Sequence, residues 1–355
     1  MTAAASRSRI VFRCDAGSEI GMGHWARCRA LASWFDPNDV LFIVAVDAAG
    51  ATAQFDGDVR CIPYEISEKD ECAWWRKQNI EADAILLDVS HAGRIRRRDA
   101  VRGLLAEIGG DHASRIVIDG LGVQTLVDGA GWKADAVLLP YAATGKNPYV
   151  PRTLSGAEFF VLPRAWGAAS ARNVDRPVRH ILITMGGSDP RQLSSRALEA
   201  SLRVAGPDWA IHVVVGPAFA RDLVDELQKR ALTDDRVTLI DAPAGLLEQM
   251  LWADLAISST GLTKYELAWA GLPSVQISID EVNARLNETF EAKGTAIHLG
   301  AADNVDAGAI AVALTDLIAD VPARTDMSRR GQALVDGMGG ARVAQAIKEL
   351  IDARA

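Results

Sequence analysis

The pattern of strand, glycine-containing loop and helix occurs twice in this chain, once in each half. Residues 9–14 (Arg-Ile-Val-Phe-Arg-Cys) predict a buried strand, and residues 15–24 form a loop with two late glycines before a helix. Residues 180–185 predict a second such strand, and the loop 186–190 follows it. Glycines let a backbone approach a ligand, and helix N-termini attract anions. The repeat predicts a phosphate-bearing ligand bound between two α/β halves.

Short apolar runs alternate with segments of helical period through both halves, which indicates parallel strands joined by helices. We predict two Rossmann-like parallel-sheet domains facing a cleft (the α/β class). The predicted domains are residues 1–165 and 178–340, with a final helix in 341–355 that packs back on the first. The predicted strands are 9–14, 40–46, 84–88, 115–119 and 136–139 in the first half, then 180–185, 210–216, 236–240, 255–259 and 273–279 in the second.

Composition excludes several classes of protein. The 355 residues are 49% hydrophobic with a net charge of −8, and the one short basic cluster, residues 94–98, is too small for nucleic acid. The four cysteines show neither metal-site spacing nor a need for disulfides. No apolar run approaches membrane-spanning length, and the start has no apolar signal segment. We therefore expect a cytoplasmic protein without an integral membrane segment; the sequence leaves its oligomeric state open.

Polar residues at predicted strand ends are the candidates for chemistry in the first half. His24 stands where the first loop becomes a helix and could act as a base, with Arg27 on the same helical face. Asp15, Asp88 and Asp119 each end a strand, and in a parallel sheet such carboxylates line one edge. Asp15 could orient His24 or bind a sugar hydroxyl. The alternatives are a helix-start role for His24 and an Asx-turn at Asp15.

The second half has a loop rich in small hydroxyl residues at 258–263, which suits a diphosphate. Glu266 lies three residues after Thr263, so it either forms a capping box with that threonine or takes both hydroxyls of a ribose. Asp189 and Pro190 have a simpler interpretation as helix-capping residues. The pair Asp56 and Asp58 matches a metal-binding DxD pattern but is interpreted as a turn. We therefore expect no metal and no cofactor.

These motifs resemble the GT-B superfamily of nucleotide-sugar enzymes. Residues 259–266 (Ser-Thr-Gly-Leu-Thr-Lys-Tyr-Glu) are similar to the donor loop of MurG-type glycosyltransferases. Residues 13–28, with the loops 156–164 and 186–190, resemble the PseG family of UDP-sugar hydrolases and the related SpsG spore-coat proteins. The resemblance covers residues 9 to 300 approximately.

The resemblance implies that the second domain holds UDP and that His24 activates water against the anomeric carbon, with Asp15 and Asp88 as the other catalytic candidates. It places the diphosphate near Gly187, Ser188 and residues 259–261, the ribose on Glu266 and the uracil against backbone at 244–246. The implied substrate is a UDP-linked 2,4-diacetamido sugar of pseudaminic-type biosynthesis. The substrate-binding candidates are Gly21, Gly23, Arg27, Gly186, Gly187, Ser188, Leu246, Ser259, Thr260, Gly261, Leu262, Thr263, Glu266 and Asn283.

The sequence departs from the PseG pattern on the sugar side. Ser90 replaces a tyrosine, Gly120 replaces a second aspartate, and Pro140-Tyr141 replaces an acidic-Gln-Asn stretch. Three functions therefore stay open at this stage. They are hydrolysis of a UDP-amino sugar, glycosyl transfer to an acceptor other than water, and non-catalytic nucleotide-sugar binding.

Overall fold

The computed structural model describes residues 9–17, 22–47, 57–89, 98–120, 125–142, 145–243 and 245–354. Contacts divide the chain into two compact units. The first comprises Met1–Gly167 and Met338–Ala355, and the second comprises Ala168–Gly337. Each unit is built around its own parallel sheet.

The sheet of the first unit has seven parallel strands in the order β3-β2-β1-β4-β5-β6-β7. Every residue of β1, β2, β4, β5 and β6 is buried, as expected for strands covered on both faces. The strands are β1 (Ile10–Ala16), β2 (Val40–Val46), β3 (Val59–Pro63), β4 (Ala84–Asp88), β5 (Ser114–Ile118), β6 (Ala136–Leu139) and β7 (Arg152–Ser155).

Four helices complete the described part of the first unit: α1 (Gly23–Ala32), α2 (Glu68–Gln78), α3 (Arg98–Glu107) and α11 (Gly339–Asp352). The last of these contributes Val343 and Ile347 to the core formed by β1, β2 and α1. A Cβ on Gly340 would collide with the Trp34 ring, so this glycine permits the close packing of α11. The C-terminal helix is therefore an integral part of the first unit.

The sheet of the second unit has six parallel strands in the order β10-β9-β8-β11-β12-β13. They are β8 (His180–Thr184), β9 (Ala210–Val215), β10 (Val237–Asp241), β11 (Leu255–Ser259), β12 (Ser274–Ser278) and β13 (Ile297–Ala301). The helices are α4 (Leu193–Val204), α5 (Arg221–Thr233), α6 (Leu247–Trp252), α7 (Thr263–Trp269), α8 (Glu281–Glu291), α9 (Ala307–Ala319) and α10 (Val321–Leu334).

The predicted architecture of two Rossmann-like parallel-sheet domains, as in the GT-B fold, is confirmed. The strand list was incomplete, because it omitted β3, β7 and β13. These strands are mostly half-buried rather than continuously apolar, and β13 contains His298 and Gly300. They therefore lack the strong hydrophobic signal that identified the central strands.

Both sheets reverse their strand order beside the first strand of each unit. In the first unit β1 lies between β2 and β4, and in the second β8 lies between β9 and β11. At such a switch point, the loops at the carboxyl ends of neighbouring strands separate and leave a crevice that ligands occupy. The candidate residues at the ends of β1, β4, β8 and β11 therefore lie at the two switch points.

Candidate functional site

His24, Arg27 and Asp88 form one hydrogen-bonded cluster at the switch point of the first unit. His24 and Arg27 are one turn apart on α1, and Asp88 ends β4. The Nδ1 atom of His24 lies 2.6 Å from Oδ1 of Asp88. The guanidinium of Arg27 binds both oxygens of the same carboxylate, at 2.6 and 2.7 Å. The first turns of α1 and the end of β4 thus bring together His24 and Arg27 with Asp88, which is distant from them in sequence.

The electrostatics of this cluster fix the roles of the two ring nitrogens. Burial opposes ionisation of Asp88, but Arg27 and His24 outweigh it and hold the pKa of that carboxyl well below its usual range. Asp88 therefore only accepts hydrogen bonds, and we assign the ring proton of neutral His24 to Nδ1. The Nε2 atom is then unprotonated and has no partner among the described residues. With 24% of its side chain exposed, His24 can use Nε2 as a base.

Tyr141 is a member of this cluster that sequence reasoning missed as a functional candidate. Its hydroxyl accepts a hydrogen bond of 2.9 Å from Arg27. Burial raises the pKa of the Tyr141 phenol, so the group stays neutral. Its position just after β6, at the same edge of the sheet as Asp88, was the available signal. Tyr141 thus holds the Arg27 side chain in position through a hydrogen bond, and Arg27 in turn holds the Asp88 carboxylate.

Asp15 and Asp119 lie at the same edge of the sheet as Asp88, because β1, β4 and β5 are neighbouring parallel strands, but their contacts differ from those of Asp88. Asp15 is fully buried and binds Arg13, whose other partner is Glu71. The buried Arg13 guanidinium needs this compensation, so Asp88 rather than Asp15 orients His24. Asp119 accepts backbone N–H bonds at 2.6 to 2.8 Å from residues 120, 126 and 127, and so shapes its own loop.

The glycine loop after β8 (residues 186–188) is exposed, and its backbone packs closely against Gly216. Gly186 has a φ of +78°, and Gly187 has open space where a side chain would stand. A Cβ on Gly216 would lie 2.5 Å from the carbonyl oxygens of both glycines, so only glycine fits at the end of β9. Sequence reasoning missed this supporting role of Gly216. Among the described residues, the exposed Ser188 hydroxyl has no hydrogen-bond partner.

The helix after this loop does not offer the anion site that its sequence suggested. Helix α4 begins at Leu193, so Pro190 is not its first residue. The Asp189 carboxylate accepts hydrogen bonds of 2.8 Å from the N–H groups of Leu193 and Ser194. Asp189 is thus a capping residue that already satisfies the first turn. A phosphate at this loop would have to use the loop itself.

The hydroxyl-rich segment between β11 and α7 lies beside the glycine loop. A Cβ on Gly186 would stand 3.7 Å from Oγ of Ser259, as expected from the pairing of β8 with β11. Thr260 binds Ser278 at 2.9 Å, and Gly261 is exposed with open space around it. Helix α7 starts at Thr263, and its N-cap, Leu262, makes no side-chain capping bond.

The capping-box alternative for Glu266 is therefore wrong. Thr263 is the first helical residue rather than the cap, and no hydrogen bond joins the two side chains. Among the described residues the half-buried Glu266 carboxylate has no hydrogen-bond or ionic partner. Burial raises its pKa to about 7. An unpaired carboxylate of this kind has its acceptor capacity available for a ligand.

Lys264, two residues before Glu266, is a second ionisable group for which the described part of the chain provides no countercharge. Its ammonium is buried, donates to the Asn287 amide oxygen at 2.8 Å and lies 5.0 Å from the centre of the Phe290 ring. Burial lowers its pKa to about 8. The segment that follows β11 thus carries two groups that titrate near neutral pH.

The remaining candidates occupy varied positions. Gly23 is the first residue of α1, with open space at its Cβ position. Leu246 is the half-buried N-cap residue of α6. The Asn283 amide donates to the Asp280 carboxylate at 2.8 Å, a contact that helps to start α8. Gly21, Asp56, Ser90 and Ala244 lie outside the described residues.

The described residues contain neither a cluster of metal-binding side chains nor a membrane-spanning helix. Within them, no group of three or more histidine, cysteine, aspartate or glutamate side chains is placed to hold a metal ion. Asp58, from the DxD pattern, stands 3.9 Å from Arg9. No described helix has both the length and the apolar character that crossing a bilayer requires.

Similarity to known proteins extends over both sequence and fold, although no protein-family model matches. The chain is 27% identical to the spore coat polysaccharide biosynthesis protein SpsG of Bacillus subtilis over 203 residues, 57% of this chain and 59% of SpsG. It is 32% identical to the UDP-N-acetylglucosamine–N-acetylmuramyl-(pentapeptide) pyrophosphoryl-undecaprenol N-acetylglucosamine transferase of Methylococcus capsulatus over 146 residues, 39% of this chain and 40% of the transferase. The chain thus matches less than two thirds of either relative's length. The structure of Acinetobacter baumannii MurG aligns with 96% of this chain and 99% of its own, with a TM-score of 0.63 and 15% identity.

Proposed function

Because this chain is an SpsG-like member of the GT-B superfamily of nucleotide-sugar enzymes, we propose that it hydrolyses a UDP-linked amino sugar. The observation that carries the proposal is the His24–Asp88 pair. Its Nδ1 atom is engaged by Asp88 at 2.6 Å, so Nε2 is left to accept a proton. This arrangement orients an imidazole as a general base, as in other carboxylate–histidine pairs. In our proposal, the acceptor that this base activates is water.

In the proposed reaction His24 takes a proton from water as the water oxygen bonds to the anomeric carbon. The bond between that carbon and the diphosphate oxygen breaks, and UDP leaves with the electron pair. The products are the free sugar and UDP. A sugar of the 2,4-diacetamido-trideoxyhexose type is our specific proposal, motivated by the first-loop motif, and it would belong to nonulosonic acid or surface-glycan biosynthesis.

We assign the binding of UDP to the second unit. The exposed backbone at Gly186 and Gly187, with the unpartnered hydroxyls of Ser188 and Ser259, suits a diphosphate. The Glu266 carboxylate suits the two hydroxyls of a ribose, since charge-assisted hydrogen bonds would satisfy its oxygens. Backbone near Leu246 is the proposed contact of the uracil. This binding requires no metal in our proposal, because backbone amides and hydroxyls supply the contacts.

Glycosyl transfer to an acceptor other than water is the second candidate. The observation that favours it is the 32% identity to a glycosyltransferase from Methylococcus capsulatus. His24 would then take its proton from an acceptor hydroxyl rather than from water. The two candidates share the base and the nucleotide site but differ in the nucleophile.

One experiment separates these functions. Purified protein is incubated with a UDP-2,4-diacetamido-trideoxyhexose or with UDP-N-acetylglucosamine, and both UDP and free sugar are quantified with and without candidate acceptors. Hydrolysis predicts equal amounts of UDP and free sugar without any acceptor. Transfer predicts UDP release only with an acceptor, and a binding protein predicts tight UDP binding without turnover. The same assay in excess chelator tests the proposed metal independence, which loss of activity and its restoration by magnesium or manganese would refute.

A further inference from the structure

Four polar side chains form a continuous hydrogen-bonded row in the second unit. Thr260 Oγ1 lies 2.9 Å from Ser278 Oγ, which lies 2.9 Å from Nε2 of His298. The Nδ1 atom of His298 lies 3.3 Å from a Glu291 oxygen. The row runs from the loop after β11, through β12 and β13, to the end of α8. We call these four residues the relay.

The burial of the relay differs strongly along its length. Ser278 is fully buried and the His298 side chain is only 5% exposed, whereas 46% of the Glu291 side chain is exposed. Thr260 is half-buried, in the loop that we assign to the diphosphate. The relay therefore connects that loop to a carboxylate in contact with solvent.

The protonation state of His298 fixes the direction of each hydrogen bond. In the neutral form the Nδ1 proton goes to Glu291, because a carboxylate only accepts. Nε2 then accepts the Ser278 proton, and the Ser278 oxygen accepts the Thr260 proton. Thr260 has one hydroxyl proton, so it has none left to donate to a ligand.

Protonation reverses the row. With a proton on Nε2, His298 donates to the Ser278 oxygen, and Ser278 directs its own proton to the Thr260 oxygen. The Thr260 proton is then available to an anion. One proton taken up from solvent at His298 thus converts Thr260 from an acceptor into a donor at the loop.

We propose that Ser278 and His298 are positioning residues that set the direction of the Thr260 hydroxyl for a nucleoside diphosphate. This inference rests on the proposed binding of UDP by the loop after β11. An anion at Thr260 favours the reversed row, so binding of the diphosphate is coupled to proton uptake by His298. The relay contribution to UDP affinity is therefore present when His298 is protonated and absent when His298 is neutral.

The surroundings of His298 leave Glu291 as its ionic partner. Strand β12, which pairs with β13, has no ionisable side chain. Helix α9 has one, Asp316, and no hydrogen bond or ion pair joins it to His298. The other ionisable side chains of α8, Glu281, Arg285 and Glu288, likewise make no bond to it. Glu291 is therefore the ionisable side chain that contacts His298 in the relay.

The test is calorimetry of UDP binding from pH 6 to pH 8 in buffers of different ionisation enthalpy. It compares the wild type with Ser278→Ala, His298→Gln and Thr260→Val. Comparing one ligand across proteins cancels the ionisation of UDP itself and of Glu266. His180→Gln is the matched control, since His180 also pairs with a carboxylate, Asp254, but at the start of β8.

We expect the wild type and His180→Gln to take up more protons on binding UDP than the relay variants do, and their affinity to fall over this range by about five- to tenfold more. Thr260→Ser should restore the wild-type profile that Thr260→Val loses. Wild-type proton uptake in Ser278→Ala or in Thr260→Val would overturn the relay while leaving UDP binding intact. If folded wild-type protein bound no UDP at any pH, both the relay proposal and the proposed function would be wrong. Thermal unfolding of each variant confirms that the folded state is compared.

Discussion

The carboxylates proposed for the functional sites of the two units, Asp88 and Glu266, are compensated in opposite ways. In the first unit, His24 and Arg27 both bind the Asp88 carboxylate, and Tyr141 completes the coordination of Arg27. In the second unit, Glu266 has no partner among the described residues. A buried charge without a partner costs stability, and proteins retain one where a ligand completes it. This contrast agrees with our proposal of a preorganised base in the first unit and a nucleotide site in the second whose carboxylate is satisfied by the ligand.

The largest expected effect tests the first unit. His24→Asn should lower turnover by roughly 10²- to 10⁴-fold, because the variant has lost the base, while UDP affinity hardly changes. Steady-state kinetics measure the turnover, and titration with UDP measures the affinity. His112→Asn removes an exposed histidine of the same unit and should leave both values unchanged. Near-normal turnover in folded His24→Asn would reduce His24 to a helix-start residue.

The second effect concerns the stability of the same cluster. Asp88→Asn leaves the Arg27 guanidinium without its carboxylate and should cost about 3–5 kcal/mol in the free energy of unfolding. Asp99→Asn, which breaks the exposed pair with Arg102, should cost at most about 1 kcal/mol. Urea denaturation measures both. A loss for Asp88→Asn no larger than that for Asp99→Asn would show that the cluster is not a tightly coupled unit.

The pH dependence of this stability has a defined sign. The pKa of Asp88 is lower in the folded protein than in the unfolded chain, where it is about 4. The folded state is therefore stabilised above pH 4, and this contribution is lost as pH falls through the lower, folded value. The wild type should lose stability on acidification more steeply than Asp88→Asn.

The sequence predicted the fold better than it predicted the contacts. Apolar runs identified β2, β4 and β6 at their observed bounds, because residues buried on both faces of a sheet must be apolar. The edge strands β3 and β13 were not predicted, because half-buried strands have a weaker hydrophobic pattern. Local pattern thus determines which segments are central, and tertiary contact determines which segments complete the sheet.

The sequence located the candidate carboxylates at strand ends, but it did not show which side chain or backbone group each of them contacts. Asp15, Asp88 and Asp119 look equivalent along the chain, yet they compensate Arg13, orient His24 and shape a loop respectively. The difference depends on Arg13 being buried inside the sheet, which no local pattern shows. Likewise, spacing allowed Glu266 to cap its helix, and the observed helix start excludes it.

The third effect tests the unpaired carboxylate of the second unit. Glu266→Ala should weaken UDP binding by about 1.5–3 kcal/mol, because charge-assisted bonds to the ribose are lost. Since the pKa of Glu266 is about 7 in the folded protein, the ribose contribution should rise with pH through that value. Calorimetry with uridine, which lacks phosphate, measures the ribose contribution without the contacts of the diphosphate. Unchanged affinity for uridine and UDP in folded Glu266→Ala would reject the ribose role.

The same residue should show the opposite effect on stability. Its pKa is raised on folding, so the folded state binds the proton more tightly and stability falls as pH rises from about 4.5 to about 7. Glu266→Gln removes this cost and should be more stable than the wild type at pH 8, by on the order of 1 kcal/mol after allowance for partial exposure. Reduced or unchanged stability in Glu266→Gln would show that the carboxylate is compensated without a ligand.

The smallest effect distinguishes a ligand-facing glycine from a structural one. A methyl group on Gly187 meets no atom within 4 Å, so Gly187→Ala should fold normally. If a diphosphate approaches this backbone, the methyl group should weaken UDP binding about three- to tenfold, on the order of 1 kcal/mol, with uridine binding unchanged. Gly216→Ala instead forces a methyl group to 2.5 Å from two carbonyl oxygens and should lower both stability and affinity. Equal UDP affinity in wild type and Gly187→Ala would move the diphosphate away from this loop and leave the loop after β11 and Glu266 as the ligand-facing candidates of the second unit.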